Sequence, residues 1–132
     1  MEDARRTEAE DHSNPIKTVL IVEDDQEISQ SLSHVLRKET RYQVVVATDG
    51  FQALNLIRSV QPDLFVLDYH LPGMDGLELA RALRATQGCT QMPMLLMSAR
   101  SPWSEREPRQ FVCLEKPFEL DACVRQVKEL LA

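Results

Sequence analysis

The sequence predicts an α/β domain with a doubly wound, five-stranded parallel sheet, and three observations predict it. Five short, β-prone apolar runs are spaced along the chain, beginning at Thr18, Tyr42, Leu64, Met94 and Phe111. Amphipathic helical stretches fill most of the gaps between them, an alternation that calls for parallel strands joined by crossover helices. The runs are almost continuously apolar rather than alternating, as strands covered on both faces require.

Residues 1–15, MEDARRTEAEDHSNP, contain no Val, Ile, Leu or Phe. They cannot bury enough apolar surface to offset the entropy of ordering, which predicts a flexible tail in which His12 is inert. Thr18–Val22 reads as the first strand. A helix fits Gln26–Lys38, with Ile28, Leu32, Val35 and Leu36 on one face. Tyr42–Ala47 is strand-like through Val44, Val45 and Val46. Asp49-Gly50 turns the chain into a helix carrying Ala53, Leu54 and Ile57, and Gln61-Pro62-Asp63 breaks it before the run Leu64–Leu67. Leu71-Pro72-Gly73-Met74-Asp75-Gly76 is a turn-rich loop whose Asp75 is placed to cap a helix holding Leu79, Ala80 and Leu83. Met94–Met97 and Phe111–Leu114 are the last two strands, and Leu120–Leu131 the last helix, with Cys123, Val124, Val127 and Leu131 inward. Between those strands Arg100–Gln110 holds Pro102 and Pro108, with Trp103 as its large apolar residue. This predicts a short or irregular fourth helix.

A chain of 132 residues suits one domain and can bury a core without covalent staples. Fifteen basic and 21 acidic side chains leave a formal charge of −6, which argues against direct nucleic-acid binding and against attachment to an anionic membrane. The cysteines, Cys89, Cys113 and Cys123, are odd in number and none are spaced C-x-x-C, so neither a disulfide framework nor a zinc site is expected. With no membrane-length apolar run and no signal-peptide pattern, the expected location is the cytosol.

Ligands of an open parallel sheet bind beyond the carboxyl ends of its strands. There the sequence places Glu23-Asp24-Asp25 after the first strand, Asp68 after the third, Ser98 after the fourth and Lys116 after the fifth. Clustered carboxylates resist ionising together, so a cation belongs among them. Mg²⁺ suits one or two carboxylates with waters left over for a phosphate. A hydroxyl and an ammonium beside such a metal match the needs of a transferred phosphoryl group, with Asp68 as its acceptor.

On these residues the chain resembles the receiver domains of two-component response regulators, from about Thr18 to Leu131. The residues that carry the resemblance are Val22-Glu23-Asp24, the string Asp68-Tyr69-His70-Leu71-Pro72-Gly73-Met74-Asp75-Gly76, Ser98-Ala99 and Lys116-Pro117-Phe118. The resemblance implies a flavodoxin-like strand order 2-1-3-4-5 over a domain of residues 16–132. It implies Mg²⁺ as cofactor, bound by Glu23, Asp24, Asp68 and the backbone carbonyl of His70. It also implies Asp68 as phosphoacceptor, Ser98 as switch hydroxyl, Ala99 as the small neighbour leaving room for the phosphoryl group, and Lys116 as its cationic partner. A cis bond is usual in this family at the position of Lys116–Pro117. The implied partners are a sensor histidine kinase or phosphotransfer protein upstream and a protein partner downstream.

Two features depart from the family pattern. Cys113 stands where many receivers carry Tyr or Phe, and the stretch between Ser98 and Lys116 is short by about one helical turn. They motivate a second reading, a receiver-fold binding module that acts without phosphorylation. It ranks behind the first because the acids, Ser98 and Lys116 are all present. An Asp-nucleophile phosphohydrolase would want a second Asp where His70 stands. A flavodoxin-like cofactor protein would have its phosphate repelled by Glu23-Asp24-Asp25.

Overall fold

The structure, a computed structural model, describes residues 15–86, 88–99 and 111–132. The expected flexible tail, Pro15 apart, and the expected short helix within Arg100–Gln110, with Trp103, lie outside the described residues.

Five strands form one parallel sheet: β1 (Thr18–Val22), β2 (Gln43–Ala47), β3 (Leu64–Asp68), β4 (Met94–Ser98) and β5 (Phe111–Glu115). Their spatial order is β2-β1-β3-β4-β5, the expected order. The helices are α1 (Gln26–Glu39), α2 (Gly50–Leu56), α3 (Gly76–Arg84) and α4 (Leu120–Leu131). From β1 the chain steps out to β2 and then returns past β1 to β3, so the order reverses between β1 and β3. A crevice opens at such a reversal, because the connections there leave toward opposite faces.

The period-2 geometry of the central strands divides the core into two layers. Leu20, Val22, Phe65, Leu67, Met94 and Leu96 face Ala53 of α2 and Leu79, Ala80 and Leu83 of α3. Val19, Ile21, Leu64, Val66, Leu95 and Met97 face Leu32 and Leu36 of α1 and Cys123, Val124 and Val127 of α4. Every residue of β1, β3 and β4 is buried, whereas β2, at the edge, is partly exposed. Leu131 is partly buried against the second layer.

Three aspartates start the first three helices as N-caps. The carboxylates of Asp25, Asp49 and Asp75 accept the N–H groups of Ile28, Gln52 and Glu78 respectively. A cap of this kind satisfies one of the four N–H groups a helix start leaves unpaired.

The structure corrects some details. Ile28, expected on the buried face of α1, is 37% exposed. It sits on the first turn, where it lines a groove of about 730 Å³ with Phe118 and Leu120. Val35 is only partly buried. The strands β3, β4 and β5 each run one residue beyond the apolar run, so Asp68, Ser98 and Glu115 are strand residues; β2 starts at Gln43, not Tyr42. Ladder hydrogen bonds, not hydrophobicity, end a strand, so a polar residue at its tip goes unseen by an apolar count.

Candidate functional site

The site is built at the carboxyl ends of β1, β3, β4 and β5. Asp68 is the last residue of β3 and is 4% exposed. Glu23, directly after β1, is 1% exposed, and Asp24 beside it is exposed. One oxygen from each of Glu23, Asp24 and Asp68 falls within 4.8 Å of the others. These three of the expected residues are thus brought together at the crevice between β1 and β3.

Lys116 reaches the same point from the end of β5. Its Nζ donates to Asp68 Oδ1 at 2.7 Å. Its backbone N–H donates to the Ser98 carbonyl at 2.8 Å, which ties the β5 end to the β4 end. The Lys116–Pro117 bond is cis, as the resemblance implied. Ser98 is buried at the tip of β4, next to the exposed Ala99. The His70 side chain is exposed, with its ring edge-on to Tyr69 at 5.2 Å.

The loop after Asp68 is closed by Gly76, whose N–H donates to the Tyr69 carbonyl at 2.8 Å. A methyl group on Gly76 would run into the Asp68 carbonyl oxygen and lie 2.8 Å from both Leu96 Cδ1 and Tyr69 Cα. Glycine is therefore a steric requirement here: the start of α3 lies against the backbone that carries Asp68. Gly73 meets a conformational requirement instead, with φ at 81°.

Glu23 is the electrostatic focus. Burial pushes its carboxyl up to about 7, an effect that the Asp25 N–H opposes and the nearby charge of Asp68 reinforces. Its Oε2 accepts the Asp25 N–H at 3.1 Å, while its Oε1 is buried without a hydrogen-bond partner among the described residues. Buried carboxylate oxygens are normally satisfied, so this one points to a ligand of positive charge. Three carboxylates in one crevice, one of them with an orphan oxygen, could hold a metal ion, and hard oxygen donors of this kind suit a divalent cation such as Mg²⁺.

Sequence reasoning left Asp25 without a role. The structure uses its carboxylate as the cap of α1 and its N–H to hold Glu23. The visible signal was an Asp three residues before Ile28, at the helix start.

Comparison with known proteins agrees with this geometry. Residues 19–128 match the response regulator receiver domain. The response regulator MprA of Mycobacterium avium is 38% identical over 117 residues, covering 86% of this chain and 50% of that protein. The chain thus spans about half the length of the curated relatives it matches. Among solved structures, the chemotaxis response regulator CheY4 of Vibrio cholerae superposes with a TM-score of 0.76 at 26% identity, covering 87% of this chain and 98% of that one. The response regulator TrrA of Thermotoga maritima, solved in complex with Mg²⁺ and BeF, superposes at 0.73 with 29% identity, covering 87% and 99%. With its sheet order, its acidic crevice and its Asp68–Lys116 pair, the chain belongs to the family of response regulator receiver domains.

Proposed function

We propose that this receiver, residues 16–132, is a phosphorylation switch in which Asp68 takes a phosphoryl group from a phosphohistidine of a sensor kinase or phosphotransfer protein. The observation that carries this reading is the ion pair of Lys116 with the buried Asp68, set beside Glu23 and Asp24 at the sheet's carboxyl edge. One Asp68 carboxylate oxygen attacks phosphorus and the P–N bond to the donor imidazole breaks. The product is an acyl phosphate on Asp68. Mg²⁺ bound by Glu23, Asp24, Asp68 and the His70 carbonyl would supply positive charge to the phosphoryl oxygens. Lys116 already pairs with Asp68 Oδ1, which orients the nucleophile. The same ammonium is within reach of an oxygen of the incoming group, so it stabilises charge in both states. Ser98 acts as the hydroxyl that turns toward the phosphoryl group, and Ala99 leaves room for it. The change shifts the population between two conformations and with it the affinity for a downstream protein. Cytoplasmic residence fits this role. Among the described residues no helix is long and apolar enough to cross a membrane.

The test is intact-mass measurement after incubation with acetyl phosphate and Mg²⁺, beside an Asp68→Asn control. A phosphate-sized gain that needs Mg²⁺ and is absent from the control is the expected result. Rapid hydrolysis is covered by repeating with beryllofluoride and following amide NMR shifts. Silence in both experiments would overturn the phosphorelay reading in favour of a binding module that works without phosphorylation.

A further inference from the structure

Asp25 makes three hydrogen bonds at the junction of β1 and α1. Its carboxylate accepts the Ile28 N–H at 3.1 Å, its carbonyl accepts the Ser29 N–H at 3.0 Å, and its own N–H donates to Glu23 Oε2 at 3.1 Å. Its side chain is exposed and is not one of the three clustered acids. The Glu23 side chain sits in the crevice with Oε1 unpartnered, and among the described residues the Asp25 N–H is the one backbone donor to it. The direction of that N–H depends on the peptide plane between Asp24 and Asp25. That plane is held where Asp25 keeps its extended capping conformation, φ −77° and ψ 115°. The cap of the helix and the orientation of the buried acid are therefore one mechanical unit.

We propose that Asp25 is a positioning residue for divalent-cation binding. By capping α1 it fixes the N–H that grips Glu23 Oε2, and so leaves Oε1 as the oxygen offered to the cation. This inference rests on the Mg²⁺ reading above. Its physical basis is that partners behind a ligand set the ligand's orientation and hence its affinity. The role belongs to the cap geometry and not to the charge, so Asn or Ser, which cap as well as Asp, fulfils it.

Calorimetric titration with Mg²⁺ tests the idea on the full chain, with far-UV circular dichroism confirming that each variant is folded. Asp25→Ala is expected to bind roughly tenfold more weakly than the wild type. Asp25→Asn and Asp25→Ser are expected to recover to within about threefold of the wild type, since their side chains restore the cap. A purely electrostatic contribution predicts that Asp25→Asn is as weak as Asp25→Ala, and that outcome overturns the proposal. Wild-type affinity in Asp25→Ala overturns it equally. A wild type that shows no saturable Mg²⁺ binding would instead sink the metal reading itself, and this inference with it. Should Asp25→Ala fail to fold, the comparison of Asp25→Asn with the wild type still decides between geometry and charge.

Discussion

Glu23 and Asp68 are buried within a few ångströms of each other, with the Lys116 ammonium paired to Asp68. Such a cluster trades stability for chemistry in a way pH can reveal. The Glu23 carboxyl, raised from 4.5 to about 7, keeps its proton in the folded, metal-free protein where the unfolded chain has released it. The native state therefore binds more protons between these values, and stability falls as pH rises from about 4.5 to about 7, staying low above that. Urea unfolding in EDTA should show the wild type weaker at pH 8 than at pH 5, by on the order of 2 kcal/mol. Glu23→Gln removes the titration and should flatten the difference; equal slopes in the two proteins would refute this account of Glu23. The buried Cys123 thiol, pushed up to about 12 by burial, stays protonated across the same range and does not contribute to it.

The helices that frame the site are short, and their starts carry much of the local instruction. For α3 the start is a complete capping box: the Asp75 carboxylate accepts the Glu78 N–H at 2.8 Å, and Glu78 Oε1 accepts the Asp75 N–H at 3.3 Å. Reciprocal bonds of this sort satisfy two orphan donors at once and fix where the helix begins. Asp75→Ala should cost about 1 kcal/mol, read as a lower urea midpoint at unchanged slope. No loss would mean that Gly76, locked against the Asp68 and Tyr69 backbone, places the helix without help. At this scale β2 also behaves as an edge strand should, with Gln43 exposed and Val45 and Val46 only half covered.

The whole molecule is a sheet between two apolar layers, and its stability rests on the buried strands β1, β3 and β4. Leu20 lies in the middle of β1, paired with Val45 on one side and Phe65 on the other, and is fully buried. Leu20→Ala removes apolar contact and leaves a cavity in a buried layer, so it should cost about 2–5 kcal/mol by urea unfolding. A domain of this size has a total stability of about 5–15 kcal/mol, so at the lower end of that range the loss would bring it near unfolding. A cost below about 1 kcal/mol would mean that the layer relaxes around the gap.

The sequence by itself settled the fold class, the alternation of elements and the Asp75 cap, because those follow from local propensity and from periodicities of 2 and 3.6 residues, whereas the caps at Asp25 and Asp49 came from the structure. It also supplied every chemical group now seen at the site, since strand ends in a parallel sheet share one edge. Residue patterns could not say that Glu23 would be more buried than Asp24, its neighbour in the chain. They placed Lys116 near Asp68, but did not give the direct 2.7 Å bond of its Nζ to Oδ1 across 48 residues. They gave Ile28 to the core, although the first turn of α1 stands at the groove beside Phe118. These outcomes depend on the crossing of separate elements. Burial, ion pairing and an orphaned oxygen are properties of the space between chain segments, so only the tertiary structure decided them.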